Sequence, residues 1–217
     1  FIFVLLNKAE KYVFSSSYME LVHRFRHRCG YGVHSPSDFF LITSVVYENI
    51  TTMLIGIEGK GISCLFATLS KESEPFAIPL VNYFRPKSLI EVGIGNGASI
   101  GYMRAACHTM DSVTLKGRDW AKTSRQLEEK LAEVHTLDCL HIGHTLFYKE
   151  VFELVLPYAG PRSCFIVGGI HESREKRKWW EQIVASESTG ITFDLYDIGL
   201  VFFDKARYKQ HYIVNFL

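Results

Sequence analysis

One segment of the chain is especially informative about architecture: SLIEVGIGNGA, residues 88–98. Its first five residues are mostly apolar, which favours a buried strand, and three alternating glycines follow at once. Glycines directly after a strand let the backbone turn tightly and leave room for a ligand where a Cβ would otherwise stand. The segment therefore predicts a strand, a ligand-binding turn and the start of a helix.

Short apolar strands alternate with amphipathic helices on the carboxyl side of this segment. The helix that begins after Asp119 carries apolar residues at 120, 127, 131 and 134, close to a 3.6-residue period. Such alternation predicts an α/β fold with a mostly parallel sheet, and the short link 197–199 predicts an antiparallel tail. The predicted strands are 88–92, 112–115, 137–142, 164–167, 191–196, 200–203 and 212–216.

The amino-terminal third has a different character, helical and irregular. A helix is predicted to begin at Ser35, because Ser35 can cap it, Pro36 suits the first helical position and Asp38 lies near the positive end of the helix dipole. The division that follows is an N-terminal helical cap segment over 1–75 and an α/β domain over 76–217.

Composition narrows the class of protein. The 217 residues include 24 Lys and Arg against 23 Asp and Glu, a formal net charge of +1, and 14% of the residues are aromatic. A disordered chain would be richer in charge and poorer in aromatics, and a general nucleic-acid binder would be strongly basic. We therefore expect a folded protein whose partners do not include nucleic acid.

Cysteine usage and hydropathy bear on location. The five cysteines are an odd number, include no C-x-x-C pair and lie mostly in apolar runs, as free thiols in a reducing compartment do. The apolar opening, residues 1–6, is too short for a signal core, and no stretch reaches membrane-spanning length. The prediction is a cytoplasmic protein with no membrane segment.

The glycine turn fits two classes of ligand. Gly93, Gly95 and Ala98 match the dinucleotide fingerprint G-x-G-x-x-G/A. Glu91 followed by Gly93, Gly95 and Gly97 gives instead E-x-G-x-G-x-G, which resembles motif I of the class I S-adenosylmethionine (SAM)-dependent methyltransferases. An antiparallel ending after parallel strands is also how that fold closes.

Further patches resemble a group of small proteins, common in the Bacteroides lineage, that are identified as class I methyltransferases. They are RFRH at 24–27, GYGVHSP at 30–36, LVNYFRPKS at 80–88, GLVFF at 199–203 and QH at 210–211. The resemblance implies a Rossmann-like methyltransferase fold for residues 76–217, with SAM as cofactor. It also implies methyl transfer to a small-molecule acceptor, whose identity the resemblance leaves open.

The resemblance also implies roles for particular residues. Glu91 would anchor the amino group of the cofactor, directly or through water, and His144 or His171 could take the proton of an acceptor hydroxyl. The other expected cofactor-binding residues are Gly93, Gly95, Asn96, Gly97 and Lys116.

Three features depart from the family pattern. Lys116 stands where an acid usually binds the ribose, and the strand-end acids of the family are missing from 138–144 and from Gly168-Gly169. The span 116–142 holds one helix where the family has a further strand and helix. These departures keep two alternatives open: a non-catalytic relative that serves as a binding or assembly module, and an NADP-type nucleotide binder, since a basic residue can hold a 2′-phosphate.

Several other patterns are given ordinary interpretations. His141, His144 and His171 could form a three-histidine metal site, but carboxylates for a hard cation are lacking, and we predict no metal. The HIGH tetrapeptide at 141–144 matches a tRNA synthetase signature in the wrong place, after a later strand. The basic runs 23–28 and 174–178 are predicted to be solvated helix faces. The oligomeric state stays open, a homo-oligomer included.

Overall fold

The computed structural model describes residues 32–47, 83–94, 103–104 and 107–214. The strands are β1 (Ser88–Val92), β2 (Asp111–Leu115), β3 (Leu137–Ile142), β4 (Ala159–Gly168), β5 (Thr192–Asp194), β6 (Ile198–Phe202) and β7 (His211–Ile213). The α-helices are α1 (Pro36–Phe40), α2 (Trp120–Leu131), α3 (Tyr148–Val155) and α4 (Arg174–Ala185). A π-helical segment, Leu41–Tyr47, continues α1, and a 3₁₀ turn, Leu156–Tyr158, follows α3.

The strands form one seven-stranded sheet in the order β2-β1-β3-β4-β6-β5-β7. The first four in this order are mutually parallel, and β6 is antiparallel to both of its neighbours. Helices follow β2, β3 and β4 in the described residues, and the predicted Rossmann-like α/β fold with a mostly parallel sheet is confirmed.

The carboxyl-terminal strands differ from the prediction in one respect. The hairpin of β5 and β6 is antiparallel as expected, but β7 pairs parallel to β5. Both edges of β6 are already occupied, by β4 and β5, so the last strand adds to the free edge of β5 instead. A single strand, β6, therefore runs against the others.

Apolar side chains cover both faces of the sheet. On one face α2, α3 and α4 contribute Leu127, Phe152 and Trp179 to a buried cluster with sheet residues. On the other face Ile42 and Leu41 of the helical segment pack with strand residues, so the described part of the amino-terminal region lies on the sheet. Burying each large apolar side chain contributes about 2 kcal/mol.

Two helix starts illustrate how local sequence acts. Asp119 caps α2 as expected, with its carboxylate accepting a hydrogen bond from Ala121 N at 3.1 Å. Ser35 occupies the cap position of α1 but makes no side-chain capping bond, because its hydroxyl contacts Ser37 and Arg207. The α1 acid, Asp38, is buried and lies 2.6 Å from the Arg207 guanidinium.

All residues between β2 and β3 are described, and they form α2 and no strand. The sequence predicted this single helix. Within the described residues β2 is consequently an outer strand of the sheet. The side chain of Arg104 lies along it, with one guanidinium nitrogen 2.5 Å from the Ser112 carbonyl oxygen and another bonded to the Ser112 hydroxyl.

No helix in the described ranges is both long enough and apolar enough to cross a membrane.

Candidate functional site

The order of the strands places the candidate site. β1 lies between β2 and β3, so the chain leaves β1 toward one side for β2 and returns to the other side for β3. In open α/β sheets, ligands bind outside the carboxyl ends of the strands where the strand order reverses in this way. The loops that meet there begin at Gly93, Lys116 and Gly143.

Backbone hydrogen bonds join these three loops. Gly93 N donates to Leu115 O at 3.0 Å, Ile94 N donates to His144 O at 2.8 Å, and Gly143 N donates to Val92 O at 2.9 Å. A Cβ on Gly93 would lie only 3.2 Å from the Gly143 Cα, so the absence of a side chain at 93 lets the two loops approach. Gly95, Asn96 and Gly97, the other expected residues of this turn, lie outside the described residues.

Glu91 is buried in the sheet, not displayed in the loop. Its neighbours in register are Thr114 on β2 and His141 on β3. Its Oε2 accepts a hydrogen bond from the Thr114 hydroxyl at 3.1 Å, and its Oε1 lies 3.1 Å from His141 Nδ1. His141 Nε2 is buried with no partner among the described residues. The three side chains thus form a polar row across β2, β1 and β3.

Lys116 follows β2 directly, as predicted, and its side chain is exposed. Its carbonyl oxygen accepts hydrogen bonds from the Thr123 hydroxyl at 3.1 Å and from Arg118 N at 2.8 Å. Ile94, beyond the end of β1, is 42% exposed. The surface outside β1 and β2 is therefore open to solvent at these two residues and carries a positive charge.

The two candidate catalytic histidines follow β3 and β4. His144 Nδ1 lies 3.3 Å from Glu172 Oε1, and the His144 side chain is 62% exposed. His171 Nε2 lies 2.8 Å from Asp194 Oδ2, and its Nδ1 is buried without a partner in the described part of the chain. The hydrogen bond to Asp194 orients the His171 imidazole, and the exposed His144 ring lies beside the Glu172 carboxylate.

Glu172 links His144 to a buried lysine. Its second oxygen, Oε2, lies 3.4 Å from Lys176 Nζ, and the Lys176 side chain is only 3% exposed. Burial lowers the pKa of Lys176, and the nearby Glu172 opposes that shift. The Lys176 ammonium also lies 5.0 Å from the centre of the Tyr148 ring.

Sequence reasoning missed Glu172, Asp194 and Lys176. Glu172 directly follows a predicted site residue, and Asp194 ends a strand, so both carried a positional signal. The prediction of a solvated run over 174–178 is wrong at Lys176. That residue lies three positions before the buried Trp179 and seven before the buried Ile183, which puts it on the inward face of α4.

A cavity of about 250 Å³ opens elsewhere in the molecule. Its walls include Pro86, Asp138 and Arg162, which lie near the amino ends of β1, β3 and β4. It is therefore at the opposite end of the strands from the glycine turn. Among the described residues no group of three or more His, Cys, Asp and Glu side chains is arranged to hold a metal ion.

Comparison with known proteins gives a likeness in structure only. No family model matches the chain, and a search of curated proteins finds no significant match. Solved structures that it resembles include an O-methyltransferase from Bacillus cereus in complex with S-adenosylhomocysteine (SAH), at 15% identity and TM-score 0.49, covering 73% of this chain and 90% of that chain.

Two further methyltransferase structures show similar values. One, from Geobacter sulfurreducens, has 13% identity and TM-score 0.49, with 74% of this chain and 99% of that chain covered. The other, SAH-bound and from Podospora anserina, has 11% identity and TM-score 0.46, with 92% and 98% covered.

Proposed function

We propose that this protein is a SAM-dependent methyltransferase that acts on a small-molecule acceptor. The observation that carries the proposal is the position of the glycine turn, directly after β1 and at the point where the strand order reverses. The sequence motif and the sheet order support the same end of the sheet independently, because one comes from residue spacing and the other from strand pairing.

The cofactor fits the turn better than it fits the end of β2. Gly93 is buried and lets the loops after β1 and β3 approach each other, and Gly95, Asn96 and Gly97 are proposed to supply the main-chain surface beneath the methionine part of SAM. Glu91 is buried and both of its oxygens have partners, so it would act on the amino group through water. Lys116 would face the ribose, where it offers a donor and no acceptor.

Bound SAM supplies an electrophilic methyl group, and the protein must orient an acceptor and remove its proton. Of the two candidate bases, the geometry favours His144, because Nδ1 faces Glu172 while the ring is largely exposed. In His171 one nitrogen faces Asp194 and the other is buried, so neither is open to an acceptor. A base at His144 Nε2 would contribute about a hundredfold or more to the rate.

Calorimetric titration with SAM and with SAH tests the proposal. Both should bind with micromolar affinity, and Gly95→Asp should abolish binding by placing a carboxylate side chain in the turn. Ser188→Asp adds the same charge at an exposed site after α4 and should leave binding unchanged. If neither ligand binds to protein that is folded by circular dichroism, the methyltransferase proposal is wrong and a binding or assembly module is the better description.

The exposed ammonium of Lys116 supports a second candidate, an NADP-type ligand whose 2′-phosphate would pair with it. Lys116→Glu separates the two candidates. The substitution should raise SAM affinity by supplying an acceptor for the ribose hydroxyls, and it should abolish any binding of NADPH. A cytoplasmic location stays a proposal that rests on the free thiols of Cys107, Cys139 and Cys164.

A further inference from the structure

The loop after β4 holds a chain of three polar side chains, Lys176, Glu172 and His144. We propose that Lys176 is a positioning residue, whose buried ammonium holds Glu172 so that Glu172 keeps His144 with Nδ1 protonated and Nε2 turned toward an acceptor. The proposal deepens the proposed function, on which the catalytic part of it rests. The two oxygens of Glu172 divide the task, since Oε1 faces His144 at 3.3 Å and Oε2 faces Lys176 at 3.4 Å.

Placing the Lys176 ammonium in this buried position costs folding free energy, so a role in stability alone does not explain it. Its side chain is 3% exposed, and a buried ammonium is unfavourable unless it is paired. It also lies in the first turn of α4, at the positive end of the helix dipole, where a cation is disfavoured. The compensating contacts are Glu172 and the face of the Tyr148 ring at 5.0 Å. A lysine in this position is explained better by what it does to Glu172 than by its own contribution to folding.

The backbone of the loop leaves space for this pair. Gly169 has φ +62°, a conformation that residues with a Cβ adopt at a cost. A Cβ built there would lie 2.8 Å from Glu172 Oε2 and 3.3 Å from Lys176 Nζ. Glycine at 169 therefore serves both the turn and the pairing of the two charged groups.

The neighbouring charged groups have partners of their own. Lys149 lies 2.5 Å from Glu175, and His171 lies 2.8 Å from Asp194. Tyr148 presents its ring to the Lys176 ammonium. Glu172 is consequently the carboxylate that connects Lys176 to His144.

The consequence for His144 is a choice of tautomer. A neutral imidazole free in water carries its proton mainly on Nε2, whereas an acceptor beside Nδ1 draws the proton there and leaves the Nε2 lone pair available. With Glu172 held by Lys176, the second arrangement should dominate. An acceptor hydroxyl would then find a hydrogen-bond acceptor at the exposed nitrogen.

Nitrogen-15 NMR of the His144 imidazole, with Lys176→Met as the variant, tests the proposal without any cofactor. The unaltered protein, at a pH where the ring is neutral, should give the signature of the Nδ1–H tautomer, and Lys176→Met should move it toward Nε2–H. Methyl transfer in the variant should fall about tenfold or more through kcat, with the KM for SAM unchanged. Lys178→Met, an exposed lysine on the same helix, is the matched control and should change neither readout.

Gly169→Ala provides a second route should Lys176→Met not fold. Its Cβ would displace Glu172 Oε2, so the same change of tautomer is expected while Lys176 is still present. An unchanged Nδ1–H signature in the folded Lys176→Met protein, or in folded Gly169→Ala if the first variant does not fold, would overturn the proposal. Failure of SAM to bind would overturn the methyltransferase proposal instead and would leave the tautomer result standing.

Discussion

Two histidines at the end of β3, His141 and His144, are three residues apart, and each is paired with a glutamate. The two pairs differ in how far they are buried. His141 and Glu91 are separated by 3.1 Å, with side chains 3% and 7% exposed. His144 and Glu172 are separated by 3.3 Å, with side chains 62% and 51% exposed. The same two functional groups at nearly the same distance therefore meet different dielectric surroundings.

Because of this difference in burial, the two pairs contribute differently to the stability of the fold. A buried pair stabilises only while both partners are present, because removing one leaves the other without water or a hydrogen bond. An exposed pair contributes little to folding, since its attraction is weakened by the high dielectric of water and offset by the entropy lost in ordering both side chains. The pair inside the sheet thus contributes to the stability of the fold, whereas the pair in the loops contributes little to it.

The largest expected effect comes from breaking the buried pair. His141→Ala should lower the free energy of unfolding by about 2–3 kcal/mol, because Glu91 loses a partner and a cavity opens beside it. The buried Nε2 of His141, which has no partner within the described ranges, is removed at the same time, and this keeps the loss below the upper end for such substitutions. Urea denaturation measures the change, and a loss smaller than that of an exposed substitution such as Glu129→Ala would contradict the comparison.

An intermediate effect is expected from pH, because β3 also carries a buried thiol. Burial raises the pKa of Cys139 to about 12 from an ordinary value of 9.0, and it raises the pKa of Cys164, its partner in register on β4. A raised pKa means that the folded state retains the proton, so stability is complete below pH 9 and falls as the pH rises from about 9 toward 12.

Between pH 8 and pH 10 ionisation of the Cys139 thiol in the unfolded state should lower the free energy of unfolding by about 1 kcal/mol. Cys139→Ala should make the decline with pH shallower by that amount. Urea denaturation at several pH values gives the slope for each protein, and the interval from pH 6 to 8 is the internal control, since thiols ionise little there. Parallel slopes for both proteins above pH 9 would show that the thiol is not held protonated.

The smallest effect on stability should come from the exposed histidine. His144→Ala should change the free energy of unfolding by less than about 0.5 kcal/mol, because a solvent-exposed pair contributes little. Under the proposed function it should nevertheless reduce methyl transfer about a hundredfold while SAM affinity is unchanged. Comparable losses of stability in His141→Ala and His144→Ala would remove the distinction between the two pairs.

Much of the fold followed from local sequence. The apolar segments predicted β1 at 88–92 and β3 at 137–142 with the observed bounds, because both strands are apolar and end at glycine. β4 begins at 159, earlier than the predicted 164. Its first residues are polar or turn-forming, and its pairing with β3 is irregular there, with the Ser163 hydroxyl donating to Leu137 O at 2.5 Å. The hydrophobic pattern of the sequence therefore cannot predict where β4 begins.

The position of the candidate site was predictable from the sequence, but the pairings among its side chains were not. Each of three predicted site residues follows a strand: Lys116, His144 and His171. Because the carboxyl ends of parallel strands lie at one edge of the sheet, residue order alone predicts that these side chains lie near that edge. Asp194 meets His171 only because β6 enters between β4 and β5 and brings the end of β5 to that edge. Lys176 belongs to a run of charged residues. Only its spacing from the two buried tryptophans along the helix shows that Lys176 lies on the inward face.

Arg104 lies on the outer side of β2, where no further strand pairs among the described residues. A strand with a free side offers amide and carbonyl groups on which a second chain can add, and proteins limit that risk with charged or bulky side chains. The Arg104 guanidinium occupies the Ser112 carbonyl and leaves a positive charge along this flank. A single arginine here does part of the protective work that an additional strand performs in a wider sheet, discouraging molecules from joining flank to flank.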